Sequence, residues 1–480
     1  MPEESSHETR ARPNRGRPNG PGTTDRRRTS APTHTRLLAL RVLERVSSAG
    51  AYADLLLHSA LGRSTLSAPD RAFATDLVYG TLRWRGKIDY YLSHFVDQDL
   101  AKLEPLVAST LQLGAYQLLC TERVPISAAV DQSVRCIRAA GANRATGLVN
   151  AVLRRLALER DKIVLPSVQD DPIAHLTHAL SLPRWLAERW IERFGVESAV
   201  ELAKACNEPP PLTIRTNRAR ADAGELLQDL LENFPNATAC RFARDGIVLG
   251  RKGNPARDRN FLAGRFTVQD EASQLVVALL DPQPGERVLD LCAAPGGKTT
   301  AIAERVGPSG SVVAVDRNTR RLDLVQRAVR RLGLTGIRTV ARDATRSLTE
   351  LAPEGGFDRI LVDAPCTGLG TLRRNPDAKW RVRPGDPTRL AEIQRALIGK
   401  AASVLRPGGT LVYSTCTVLA EENEEIARHF LNGPRDFAPI PKDAVPEEVK
   451  TVADPDGVLR TFPHIHDTDG FFAARFERKS

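Results

Sequence analysis

Apolar positions in the first third of the chain recur at the helical period. Ala39, Val42, Leu43 and Val46 fall at i, i+3, i+4 and i+7, and Val149, Val152, Leu153 and Leu156 repeat that spacing. From about Thr35 to Asp161 the pattern predicts an all-α bundle, assigned to residues 34–163, with no catalytic constellation inside it. Residues 1–33 lack the apolar content to build a core. They carry seven arginines between Arg10 and Arg28, which suits a solvated tail and equally an arm adding salt-sensitive affinity for RNA.

The rhythm changes over residues 164–262. A helix around Trp185–Phe194 leads to the rigid break Asn207-Glu208-Pro209-Pro210-Pro211. The alternating run Leu212–Asn217 predicts a strand, followed by a helix near Ala223–Leu231 and a strand near Gly246–Leu249. This is a small α+β unit. Over residues 263–480 strands and helices alternate, with strands expected at 287–291, 311–316, 337–342, 358–363 and 410–415. Leu322, Val325, Val329 and Leu332 mark one crossover helix, stopped at Gly333. Such alternation implies a parallel, doubly wound sheet that binds ligands at the carboxyl ends of its strands. Gly470–Phe476 reads as a late strand, antiparallel at the edge.

Composition narrows the partners. The net charge of +10 and pI near 9.4 favour a polyanion, nucleic acid before membrane. Only 11 of the 68 basic residues are lysine, a bias that suits bidentate phosphate contacts but also fits genomic composition. The segment Met1-Pro2-Glu3-Glu4 opens no signal peptide and no apolar run is long enough to span a bilayer, so the cytoplasm is expected. The seven cysteines are scattered without Cys-x-x-Cys, which argues against a disulfide framework and a structural zinc site. His175-x-x-His178 and His464-x-His466 lack the further ligands a metal needs, so no metal is expected.

The chemistry concentrates near the ends of these five strands. Cys292-Ala293-Ala294-Pro295-Gly296-Gly297-Lys298 follows the run Arg287–Leu291, and its small residues let backbone approach a ligand. Asp316 ends the second strand 20 residues after Gly296, where a carboxylate can accept from ribose hydroxyls. Asp343 is expected at the end of the third strand, within reach of an adenine amino group, and Asp363 at the end of the fourth. Without Gly-x-Gly-x-x-Gly the loop does not suit a dinucleotide. Each aspartate alone is explained as a turn or cap; three in series after a small-residue loop point to cofactor binding. Cys366 in Asp363-Ala364-Pro365-Cys366 and Cys416 in Ser414-Thr415-Cys416 fall on the same rim. A thiolate adding to carbon 6 of a cytosine makes carbon 5 nucleophilic towards a sulfonium methyl group. Either thiol position serves that chemistry.

Residues 287–298, 363–370, 373–380, 406–423 and 469–475 resemble the RNA cytosine-5 methyltransferase family, and 268–274 resemble its lead-in helix. Residues 35–160 resemble the NusB-like RNA-binding fold. The fusion is similar to bacterial 16S ribosomal RNA cytosine-5 methyltransferases of the Sun or Fmu type. The resemblance implies a class I, Rossmann-like S-adenosylmethionine-dependent methyltransferase, with Cys416 as nucleophile and Cys366 assisting product release. It implies Asp363 between cofactor and base, and Cys292 through Lys298, Asp316, Asp343 and Asp363 around S-adenosylmethionine, with Lys298 also catalytic. DNA cytosine methyltransferases use the Pro-Cys thiol instead, so the choice of Cys416 rests on the family. Thr417 stands where the family often has serine, and residues 437–458 are left unmatched to it. Two alternatives remain: the same chemistry on transfer RNA or 23S ribosomal RNA, and a non-catalytic RNA-binding assembly or antitermination factor.

Overall fold

The computed structural model describes residues 33–122, 124–251, 253–433 and 436–479. The arginine-rich tail, up to residue 32, lies outside them. Seven α-helices between His34 and Glu159 build the N-terminal bundle. Its centre is the helix Pro105–Leu119, buried from Leu106 to Leu118, so it is enclosed on every face where a surface helix buries only one stripe. Ala39, Val42 and Leu43 from the first helix and Val149, Val152, Leu153 and Leu156 from the last share that core.

The long helical segment that follows, Arg184–Cys206, is two helices joined at Gly195, whose non-helical φ of 77° and ψ of 166° end the first at its expected limit, Phe194. Beyond it lies a four-stranded antiparallel sheet of β1 (Thr213–Thr216), β2 (Thr238–Ala239), β3 (Gly246–Val248) and β4 (Phe266–Val268), in the order β2-β3-β1-β4. Leu226 and Leu230 of the helix Ala223–Leu230 pack with Ile214 and Ile247 of this sheet. β4 lies past residue 262 yet pairs with β1, so a strand from the next segment completes the sheet.

The larger sheet comprises β5 (Arg287–Leu291), β6 (Ser311–Asp316), β7 (Ile337–Ala341), β8 (Phe357–Asp363), β9 (Leu405–Thr415), β10 (Phe437–Pro439), β11 (Leu459–Thr461) and β12 (Phe471–Arg478). The order is β10-β12-β9-β8-β5-β6-β7, with β11 on β12. Strands β5 to β9 pair in parallel; β12 runs antiparallel between β9 and β10 and is therefore not at the edge. Side chains alternate across it: Val288 and Leu361 join one core with the helices Glu271–Leu280 and Gly297–Val306. Leu289, Leu291, Ile360 and Val362 join the other with the helix Asp386–Ser403. The order reverses between β5 and β8, the position at which doubly wound sheets open a crevice beyond their carboxyl ends. No described helix is long and apolar enough to cross a membrane.

Candidate active site

The turn after β5 is shaped by two residues at positive φ, Cys292 at 61° and Gly296 at 107°. A Cβ on Gly296 would lie 3.1 Å from the Val325 Cα, so a side chain there would push the helix Thr319–Leu332 away. Arg321 of that helix donates to the Ala294 carbonyl at 2.6 Å. Asp316, 6% exposed at the end of β6, accepts from Ala294 N at 3.3 Å and from Asn318 N at 2.9 Å, leaving acceptor capacity for a ligand hydroxyl. A small-residue turn beside a retained carboxylate fits the ribose end of a nucleoside cofactor. Asp343 stands two residues beyond the end of β7, exposed, with its carboxylate turned to Thr345 N and Oγ1. Those two bonds hold its carboxyl below the usual range.

Beneath the turn, Asp290 has no exposed surface and accepts from Thr299 Oγ1 at 2.6 Å. Burial pushes its carboxyl up to about 7, against that hydrogen bond. Burial likewise pushes the Cys292 thiol well up, with Asp363, Asp316 and Asp290 adding to it. Lys298, on the first turn of the helix Gly297–Val306, reaches across to the end of β8, where Nζ donates to Asp363 Oδ2 at 2.8 Å. Ser414 Oγ donates to the other oxygen at 3.0 Å. Burial alone would lower the Lys298 ammonium, but Asp363 outweighs it and the net shift is upward.

Cys366 and Cys416 bring their sulfurs to 3.4 Å, both partly exposed, so neither is locked in a core. The hydrogen bond it shares with Cys416, then burial, raises the Cys366 thiol well above its ordinary range, and Glu422 adds to the effect. The thiol loops are pinned to β12. Gly370 N donates to the Cys416 carbonyl at 2.9 Å and Gly470 N to the Gly370 carbonyl at 2.8 Å. A Cβ on Gly370 would overlap the Gly470 carbonyl, so only glycine lets the strands cross. Arg374 closes the same corner, donating to Asp469 at 2.8 Å and Asp270 at 2.7 Å.

The structure thus gathers Lys298, Asp363, Cys366 and Cys416 into one cluster beside the turn at 292–297, with Asp316 at the neighbouring strand end. Asp343 is set apart, on an exposed turn. Away from the site, His175 bonds the Pro166 carbonyl at 2.8 Å and the His178 ring lies 4.7 Å from that of Tyr90. Three contributions escaped sequence reasoning. Arg215 of β1 is buried and donates to Gly297 O at 2.8 Å, Thr300 Oγ1 at 3.1 Å and Glu304 at 2.7 Å, tying the small sheet to the helix Gly297–Val306. Its signal was an arginine at an alternating strand position. Ser414 was visible only as part of a cysteine motif. Glu422 and Asn423 lay in a polar run that reads as surface, yet are 0% and 2% exposed.

Residues 277–477 match the family model for the 16S rRNA methyltransferase RsmB/F, residues 33–158 that of the NusB family, and residues 182–255 the ferredoxin-like domain of RsmF/B-like methyltransferases. The chain is 38% identical to the "Probable ribosomal RNA small subunit methyltransferase B" of Bacillus subtilis, over 93% of this chain and 99% of the relative. It is 36% identical to the ribosomal RNA small subunit methyltransferase B of Pseudomonas putida, over 82% and 88%. The crystal structure of PH0851 superposes with a TM-score of 0.78 at 26% identity, covering 92% of this chain and 99% of that one. A methyltransferase homolog from Pyrococcus horikoshii superposes at 0.56, with 30% identity over 64% and 99%. From the NusB bundle to the thiol-bearing rim, this chain belongs to the 16S rRNA methyltransferase RsmB/F family.

Proposed function

We propose that the chain methylates carbon 5 of a cytosine in small-subunit ribosomal RNA, through a covalent bond between Cys416 and carbon 6. The observation that carries this reading is the pair of sulfurs 3.4 Å apart beside the Lys298–Asp363 ion pair. Residues 292–298, Asp316 and Asp363 are proposed to hold S-adenosylmethionine, with Asp343 reaching it only if its turn adjusts. When bound, that cofactor supplies an electrophilic methyl group.

Addition of the Cys416 thiolate forms the sulfur–carbon 6 bond and moves the carbon 5–carbon 6 electron pair towards carbon 5. Lys298, held in place by Asp363, supplies the cation that meets the negative charge developing on the ring, while Ser414 fixes the other Asp363 oxygen. With the methyl group on carbon 5, transfer of the carbon 5 proton to a base reforms the double bond and expels Cys416 as thiolate, the step Cys366 is proposed to assist. The target base must leave any helix to reach this rim, so single-stranded or flipped RNA is the substrate form. The bundle at residues 34–163 is proposed to deliver RNA phosphates, in the cytoplasm.

The test is a pair of variants. Cys416→Ala is expected to abolish methyl transfer with S-adenosylmethionine affinity retained; full activity would remove its role. Cys366→Ala is expected to accumulate a protein–RNA adduct on a denaturing gel, and clean turnover would count against assisted release. Bisulfite mapping of RNA from a deletion strain separates the 16S target from transfer RNA or 23S RNA. Loss of no methyl mark at all would favour a non-catalytic assembly factor.

A further inference from the structure

Glu422 has no exposed surface, and its carboxylate is held by neutral donors. Oε1 accepts from Thr367 N at 2.9 Å and Gln394 Nε2 at 3.2 Å, and Oε2 accepts from Thr367 Oγ1 at 2.5 Å. Gln394 Nε2 also donates to the Pro365 carbonyl at 3.0 Å. Glu422 therefore grips both neighbours of Cys366, one directly and one through Gln394.

Asn423 repeats the arrangement around the other thiol. Its Oδ1 accepts from Thr415 Oγ1 at 2.5 Å, and its Nδ2 donates to the Thr417 carbonyl at 3.0 Å. Those residues flank Cys416. The two grips meet where the Thr367 and Thr417 hydroxyls lie 2.8 Å apart, and Tyr413 OH anchors the Glu422 carbonyl at 2.6 Å. Burying a carboxylate among neutral groups is costly, and burial shifts this one upward. The carboxylate offers four lone-pair sites aimed at chosen donors, which an apolar residue would leave unpaired.

We propose that Glu422 and Asn423 form a positioning pair that fixes the separation of the Cys366 and Cys416 sulfurs, and through it the passage from adduct formation to release. The second half rests on the cytosine-5 reading above; the first does not.

A trivalent arsenical measures the separation without any methyl transfer. Phenylarsine oxide forms two arsenic–sulfur bonds with a close dithiol, its oxygen leaving as water with the two thiol protons. The wild type is expected to capture it about 100-fold more tightly than Cys366→Ala or Cys416→Ala, through the effective concentration of the second thiol. Glu422→Ala and Asn423→Ala are expected to weaken capture about tenfold, and to lower kcat for a small-subunit RNA transcript as much, with KM for S-adenosylmethionine within about twofold. Glu422→Gln, which keeps an acceptor for Thr367 N, should recover most of the capture. Thr367→Val is nearly isosteric and breaks the hydroxyl link, so it decides the matter if Glu422→Ala does not fold. Wild-type capture and kcat in Glu422→Ala, Asn423→Ala and Thr367→Val would overturn the positioning role. Weakened capture in those variants, beside a wild type that leaves no 5-methylcytosine in the transcript, would sink the cytosine-5 reading and leave the positioning intact.

Discussion

Asp290 illustrates what a single buried carboxyl does to this molecule. Its carboxyl is raised from 3.8 to about 7 by burial, so between those values the folded chain holds a proton that the unfolded chain has released. Its contribution is fully present below about 3.8 and is lost as pH rises towards 7. Asp290→Asn should therefore melt increasingly above the wild type as pH goes from 4 to 7, and by a constant margin beyond. Thermal melts across that range check this, and a margin independent of pH would refute it. The sequence shows Asp290 as a polar break in Val-Leu-Asp-Leu. Nothing local indicates that Thr299, nine residues on, turns its hydroxyl towards it. Lys298, Asp363, Cys366 and Cys416 were legible because strand ends in a parallel sheet share one rim. Glu422 and Asn423 were not, because burial of a polar run is decided by loops that fold over it.

At the scale of elements, residues 373–380 form a junction that touches all parts of the chain. Arg83 of the bundle donates to the Arg373 carbonyl at 2.8 Å, and Trp380 Nε1 donates to the Leu82 carbonyl at 2.7 Å. Lys379, fully buried, donates to Asn207 at the end of the long helix at 2.7 Å and to the Arg83 carbonyl at 3.3 Å. Burial lowers its ammonium to about 7. Between 7 and 10.5 the unfolded chain then carries the extra proton, so wild-type stability rises with pH across that window. Lys379→Met should compare more favourably with the wild type at pH 7 than at pH 9.5; an unchanged or reversed difference in melting temperature would exclude this. The parallel strands were readable from their Val, Ile and Leu runs. β2, β4, β10 and β11 span two or three residues each, too few for a period to register, and they form only because longer neighbours offer free edges.

Across the whole molecule, the +10 charge bears on the RNA binding proposed above. Phosphate neutralisation releases counterions, so affinity for RNA should fall roughly 10³-fold or more between 50 and 200 mM salt if about six phosphates are engaged. Affinity for S-adenosylmethionine should scarcely move over the same range. Filter binding and calorimetry measure the two, and parallel losses would mean that salt acts on the fold rather than on the interface. The three-part organisation was visible as changes of period along the chain. How the parts dock was not, since it depends on individual donors such as Arg215 and Trp380 reaching backbone carbonyls far away in sequence.

The crossing of Gly370 and Gly470 carries a temporal consequence. The floor beneath Cys416 is supplied by a stretch synthesised more than fifty residues after that thiol, so a polypeptide still emerging from the ribosome holds both sulfurs and the donor turn without a finished reaction chamber. The proposed site is therefore complete only once β12 has taken its place between β9 and β10.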